Sequence, residues 1–443
     1  MQSVLLHNNP MKRYIILALA ALLAPAAAQA ETNALVVSEV VHSPAWVQYV
    51  AQGLEFRVVL PGGAACPSAS LDGHDTAMAV RAAGGNDFGL VCSLAIPKGT
   101  KSLKWGEISF PLPATEPKTI LVLGDTGCRI KGTFVQACND PKAWPFAGLA
   151  KAAAALKPDL IVHLGDYLYR ESPCPPAFAG CAGSPYGDNW ASWAADFFTP
   201  GEPLLTAAPW VIIRGNHEDC ARAGNGFLRL LGPVAFDPAA ACIDHLGPYA
   251  VTAGRQTIAV TDTAIGSDQN VDDRVVALFQ KDFDALKAMA SAASGHQLWL
   301  TSHRPIWAAI TGPAGIPIGG SINLIQATGD RSALAEVSLM LSGHIHSFEA
   351  INYTVLRGNK VPPQIVAGNG GDNLDVTPVD LKHAVFQGSS GVNVKDGLSA
   401  GGFGFMTMTR AGNGWSIQLY DSAGVAGMKC ALAAGRLDCA PPK

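Results

Sequence analysis

From Leu35 to about Pro113 the chain offers short runs of β-branched and aromatic residues, such as Trp46 to Val50 and Leu54 to Leu60, separated by turns that carry Gly and Pro. No helical period appears there, so the region is expected to form a small all-β sandwich. The stretch Pro111 to Pro117 holds three prolines and reads as a linker, after which the pattern changes. Apolar runs now recur at Thr119 to Leu123, Leu160 to Leu164, Val211 to Ile213, Leu298 to Leu300 and Ser338 to Leu341. Each leads directly into a polar segment containing Gly or His, and segments with helical apolar spacing, Phe146 to Leu156 and Arg274 to Ala290, lie between them. Strands alternating with helices predict a layered α/β fold whose site lies where the strands end. The expected division is a leader over residues 1–30, a β-domain with linker over 31–117, and an α/β domain over 118–443.

The leader follows from Met11 to Ala30: Lys12 and Arg13, then the apolar stretch Tyr14 to Leu23, then small residues ending Ala28-Gln29-Ala30. Met11 opens a better leader than Met1, so the first ten residues read as an over-extension. Cleavage is expected to leave Glu31 first. The leader's apolar run is short for a membrane span, and no other stretch approaches ~20 uninterrupted apolar residues. A secreted or periplasmic protein without a stable membrane span is the expectation.

Composition supports this picture. A chain of 443 residues that is 49% hydrophobic can build a sizeable core, and a formal charge of −4 without a long basic run argues against a nucleic-acid partner. The ten cysteines suit an oxidising compartment and fall into neighbouring pairs. Sequential pairing is the simplest connectivity: Cys66 with Cys92, Cys128 with Cys138, Cys174 with Cys181, Cys220 with Cys242, and Cys430 with Cys439. The sequence itself leaves the connectivity open, and no C-x-x-C repeat favours a thiolate metal site.

The candidate chemistry sits in five motifs after the apolar runs: Gly124-Asp125-Thr126-Gly127, Gly165-Asp166-Tyr167-Leu168-Tyr169, Gly215-Asn216-His217-Glu218, Thr301-Ser302-His303-Arg304 and Gly343-His344-Ile345-His346. Singly, each has an ordinary reading as a turn, a cap or a core histidine. Jointly, carboxylates, imidazoles and an amide oxygen at strand ends suit first-row divalent or trivalent metals. There are too many donors for one ion, and two metals about 3.5–4 Å apart can hold both the attacking and the phosphoryl oxygens of an in-line displacement.

The ordered motifs resemble those of the calcineurin-like metallophosphoesterases and, through Tyr169, the purple acid phosphatases. That resemblance spans Gly124 to Glu349 and implies a layered β-sandwich flanked by helices. It also implies that Asp125, Asp166, Tyr169 and His346 hold an Fe(III), and that Asn216, His303 and His344 hold a divalent Fe, Zn or Mn, with Asp166 bridging. His217 and Asn216 would be catalytic, His217 contacting substrate and protonating the leaving group. The implied reaction is hydrolysis of a small phosphorylated substrate, a phosphate monoester, by a metal-bound hydroxide. A phosphodiesterase or nucleotide pyrophosphatase would need nearly the same ligands. A non-catalytic exported binding module ranks lower because all seven ligand positions and His217 are present.

Other residues carry open readings. Arg304 and Arg129 each bind substrate phosphate or pair with a carboxylate. Glu349 is expected to orient a histidine ligand. Gly368 to Asp372 reads as a tight turn near the site rather than a phosphate cradle, and Trp190, Trp193, Phe197 and Phe198 read as core rather than as a lid. Asp188 and His245 have no motif support. The sequence does not determine the oligomeric state.

Overall fold

A computed structural model describes residues 43–440 apart from Asn86, Ser294 and Ser390. The leader segment lies outside the described residues. Two large sheets dominate. The first has eleven strands, with Thr119–Leu123, Leu160–His163 and Trp210–Ile212 side by side and parallel at its centre. The second has seven, centred on the parallel strands Gln256–Val260, Gln297–Thr301, Val337–Ser342 and Gln364–Ala367.

Period-two alternation explains how the sheets stack. Ile120 and Val122 point to one face of their strand and meet Val260, Trp299, Leu339 and Leu341 of the other sheet, forming the core of a sandwich. Leu121 and Leu123 point the opposite way and pack on the helix Phe146–Ala155 through Phe146, Leu149, Ala150 and Ala153. On the far side, Leu298 and Leu300 meet Val275, Phe279, Phe283 and Leu286 of the helix Asp273–Ala292. That helix starts where the Asp272 carboxylate accepts from the N–H groups of Arg274 and Val275, at 2.9 and 3.2 Å. Central strands are therefore covered on both faces, which is why they read as unbroken apolar runs.

The N-terminal region is all-β, as expected, with a core of its own that includes Phe56, Val58, Trp105 and Phe110. Ala45–Val50 pairs in parallel with Trp210–Ile212, so the N-terminal strands extend the first sheet, and the chain from Pro44 onward forms one compact unit. Buried cross-links reinforce the join: Gln48 donates to the Leu231 carbonyl at 2.9 Å, and Arg57 to those of Leu230 and Gly232 at 2.8 and 2.9 Å. At the other edge, hairpins from Gly404 to Ala440 complete the sheet, Gly404–Ala411 pairing antiparallel with Thr119–Leu123. The sequence reading had not singled these strands out.

All five disulfides join the cysteines in the sequential pairing, and no cysteine is free among the described residues. The aromatic group is core: Trp193, Phe197 and Phe198 are buried with Trp46, Phe146 and Trp210, and Trp190 packs against them. Among the described residues no helix is long and apolar enough to cross a membrane.

Candidate metal centre

Each of the five motifs follows the C-terminal end of a central strand, and the backbone bends there in ways that side-chain sterics resist. Asp125, Asp166 and His344 have φ of 57°, 59° and 71°, the left-handed region that non-glycine residues rarely occupy. Gly165, at φ 99°, has no room for a side chain either: a Cβ there would lie 2.7 Å from His303 Nδ1 and 2.8 Å from the Gly215 Cα.

Several hydrogen bonds hold the bends. Glu218 is fully buried and accepts four backbone N–H groups, Tyr167 and Leu168 at Oε1 (2.8 and 3.1 Å) and Asp166 and Gly215 at Oε2 (both 3.0 Å), tying the second and third motif loops together. Asp196, buried among aromatics, accepts from the N–H groups of Cys128 and Tyr169 and from Arg170 Nε at 3.1, 2.8 and 2.5 Å. The Asp125 carboxylate accepts from the His344 N–H, and Asp166 from the His217 N–H.

The donors so placed form two groups that meet at one oxygen. In the first, Tyr169 Oη lies 3.1 Å from Asp125 Oδ1, 2.8 Å from Asp166 Oδ2 and 3.1 Å from His346 Nε2. In the second, His303 Nε2 lies 3.1 Å from the same Asp166 Oδ2 and 3.0 Å from Asn216 Oδ1, and the His303 and His344 rings are 5.1 Å apart. Donor atoms of Asp166, His303 and His344 lie within 4.8 Å of one another. Metal–ligand bonds of ~2.1 Å would put neighbouring donors about 3 Å apart, so these spacings fit ligands around an ion.

Each imidazole has one nitrogen already occupied. His303 Nδ1 meets the Leu164 carbonyl at 2.8 Å, His346 Nδ1 the Asn373 carbonyl at 2.7 Å, and His344 Nε2 the Asp268 carboxylate at 2.8 Å. The remaining nitrogen of each ring is left as the available donor, the arrangement typical of metal-binding histidines.

The electrostatics also call for cationic charge. Asp125 and Asp166 are buried together with the Tyr169 phenol. Burial and the charges of Asp125 and Asp166 push the Tyr169 pKa well above the usual phenol range. Burial opposes protonation of His346, yet Asp372 and Asp125 outweigh it and raise its pKa to about 10. His303 is likewise raised, Asp166 and Asp125 overcoming its burial. A buried pocket whose field draws protons onto histidines is suited to bound cations. The residues present therefore fit a metal cofactor.

His217 lies beside these groups, its ring over that of Tyr169 with centroids 3.9 Å apart and its Nε2 4.0 Å from Asp166 Oδ2. Its Nδ1 is held 2.5 Å from Glu171 Oε1. Burial raises the Glu171 pKa, but His217 and Lys131 overcome that and bring it down to about 2. For His217 burial wins, and its pKa falls despite the neighbouring carboxylates.

Arg304 Nη1 contacts Asp268 Oδ2 at 2.7 Å and lies 2.8 Å from His344 Nε2, while Arg129 pairs with Asp372 and covers the Tyr169 ring at 4.8 Å from its centroid. Both arginines are thus held by carboxylates. The Gly368 to Asp372 loop donates the N–H groups of Gly368, Gly370 and Asp372 to the carbonyls of Ser347, Gly124 and Asp125, so it packs against the first motif. Glu349 requires a correction: its Oε2 accepts from the Ala309 N–H at 3.2 Å, and no histidine contacts it among the described residues. The histidine nitrogens it was expected to hold are taken by Leu164, Asp268 and Asn373.

Away from the site, Asp188 accepts from Trp193 Nε1 and from the Gly226 N–H, both at 2.9 Å, and His245 pairs with Asp282. The sequence reading gave no role to Glu171, Glu218, Asp196 or Asp268. Glu218 closes the third motif and Glu171 follows Tyr169 by two positions. An acid among Trp193, Phe197 and Phe198 was a signal for Asp196, whereas Asp268 stands in a loop without one.

Metal donors gathered at the ends of parallel strands, beneath a two-sheet sandwich with outer helices, define a metal-dependent hydrolase. Residues 118–348 match the calcineurin-like phosphoesterase family, and the chain belongs to it, as a hydrolase acting on phosphate esters. The structure is similar to the purple acid phosphatase PPD1 from yellow lupin (Lupinus luteus) seeds, with 13% identity and a TM-score of 0.53 over 87% of this chain and 72% of that one. It is also similar to PhoD, with 12% identity and a TM-score of 0.54 over 91% and 92% of the respective chains. At such identities the likeness is one of fold. No curated protein matches the sequence.

Proposed function

We propose that the protein hydrolyses phosphate monoesters with two metal ions, Asp125, Asp166, Tyr169 and His346 holding one and Asp166, Asn216, His303 and His344 the other. The observation that carries this reading is the position of Asp166 Oδ2, 2.8 Å from Tyr169 Oη and 3.1 Å from His303 Nε2, the one oxygen common to both donor groups. A phenolate donor favours a hard trivalent ion, which supports Fe(III) in the first position, with a divalent Fe, Zn or Mn in the second. Bound there, such ions supply Lewis acidity toward phosphoryl oxygens and make water a nucleophile near neutral pH.

The chain's own groups do the rest. Glu171 fixes the His217 ring through Nδ1, leaving Nε2 on the Asp166 side, where it can carry a proton to the leaving oxygen. The Asn216 carboxamide, 3.0 Å from His303 Nε2, sets the second group of donors and faces the same space. The apolar leader segment and the five disulfides support export to the periplasm or beyond.

The test compares p-nitrophenyl phosphate with bis(p-nitrophenyl) phosphate using metal-loaded protein. A higher kcat/KM for the monoester, lost in Asp166→Asn, is expected. Preference for the diester would assign a phosphodiesterase or pyrophosphatase, and wild-type turnover by Asp166→Asn would remove the two-metal site.

A further inference from the structure

Beside the donor cluster lies a cavity of about 200 Å³ with a character of its own. Pro305, Ile310, Ile318 and Ile345 wall it with aliphatic surface, and His344 and Asp268 stand where it meets the candidate metal centre. Much of the wall comes from the antiparallel pair Ala309–Thr311 and Pro317–Gly319, which is inserted between the His303 and His344 motifs and anchored by parallel pairing of Ile318 with Val385 and Gly319 with Phe386. The Thr311 N–H donates to the Val376 carbonyl at 3.0 Å and fixes the other flank. Ile310, Ile316 and Val385 remain exposed on this insertion and the strand beside it.

Resting on the phosphatase reading, we infer that this cavity receives the alcohol portion of the ester, and that the substrate class is phosphate monoesters of uncharged, largely apolar alcohols. Size and charge both bear on this. A cavity of ~150 Å³ lined by aliphatic groups accommodates a benzene ring, so one of this volume takes a substituted ring or a comparable alkyl group. The charged side chains in its lining are Asp268 and Asp375 beside the histidine, with no lysine or arginine among the lining residues. Asp268 is already paired with Arg304, so it is Asp375, with no lysine or arginine in the lining beside it, that disfavours an alcohol portion carrying a carboxylate or a second phosphate. Gln269, Ser321 and Gln387 are the uncharged polar side chains of the lining, and a sugar would still set hydroxyl groups against Ile310, Ile318 and Ile345, where that wall offers them no partner. Catalysis by the metal site needs only the phosphoryl group, so this wall supplies the selectivity.

The experiment measures binding and turnover separately on the metal-loaded, full-length protein. Phenylphosphonate and methylphosphonate, which cannot be hydrolysed as esters, are titrated calorimetrically. Benzyl phosphate and glycerol 3-phosphate, whose alcohols are similarly poor leaving groups, are compared by kcat/KM. The expected result is that the aromatic member of each pair is favoured by about tenfold or more, and that Ile310→Asp removes most of that preference. Equal binding of the phosphonates together with equal kcat/KM overturns the inference while leaving the phosphatase reading intact. Turnover of neither ester by a protein with full metal content overturns both. The wild-type comparison decides the matter even if Ile310→Asp fails to fold.

Discussion

Glu218→Gln tests how the site is held together. The carboxylate accepts two backbone N–H groups at each oxygen, from Tyr167 and Leu168 at Oε1 and from Asp166 and Gly215 at Oε2. A carboxamide keeps one accepting oxygen and turns an NH2 group toward the other two donors. Burial and the charge of Asp166 raise the Glu218 pKa to about 8, so above that pH two hydrogen bonds to a charged acceptor, each worth roughly 1.5–3 kcal/mol, are lost, and two buried N–H groups are left facing another donor. Removing one negative charge beside Asp166 gives part of this back. A net loss of about 3–5 kcal/mol follows. With an unfolding entropy of roughly 2.1 cal/mol/K per residue over about 400 residues, that corresponds to a Tm lower by about 4–6 °C. Because Asp166 and Gly215 belong to separate motif loops, the variant should also bind metal more weakly than wild type. The assays are scanning calorimetry with and without added metal, and metal content after dialysis. A Tm within about 1 °C of wild type and unchanged metal content would refute the reasoning, since the four bonds would then carry no measurable energy.

Four further outcomes are expected. Asp268→Asn should reduce metal affinity by roughly 10–100-fold in calorimetric titration, because the carboxylate that holds His344 Nε2 is replaced by a weaker acceptor. Arg129→Ala should cost roughly 1.5–3 kcal/mol in chemical denaturation, since buried Asp372 loses its arginine partner but keeps His346 Nδ1 at 3.5 Å. Phe197→Ala should cost ~3–5 kcal/mol through a core cavity, yet leave metal content unchanged. The His245 pKa is raised, Asp282 outweighing burial, so this pair stabilises the fold below pH ~6.5, down to the range where Asp282, itself raised by burial, takes a proton, and progressively less as pH rises through the higher His245 value. The Tm gap between wild type and His245→Ala should therefore narrow between acidic and alkaline buffer.

Much of this was legible in the sequence because strand and site share one cause. Parallel strands covered on both faces must be apolar throughout, and the chain must become polar and turn sharply where such a strand ends. Thr119–Leu123 followed by Gly124-Asp125 shows both signals within seven residues. What escaped was long-range. Pairing between Ala45–Val50 and Trp210–Ile212 joins segments remote in sequence, and nothing local in either strand specifies the other. Asp268 and Asp196 act through contacts with residues far along the chain and look like ordinary acids where they stand. Glu349 was misread for a related reason. Nearness to the His344 motif in sequence suggested a histidine partner, but its strand carries the carboxylate toward Ala309 instead. The apolar insertion walling the cavity received no reading from the sequence, because its role depends on docking against Val385 and Val376.

The central claim is a pair of metals joined by Asp166, one of them held by Tyr169. It is tested most directly by the visible absorption spectrum and metal content of the purified, oxidised protein beside Tyr169→Phe. The account predicts two metal ions per chain, one of them iron, with a broad visible band that disappears in the variant. One metal per chain at saturating supply, or a band that survives loss of the tyrosine, would contradict it.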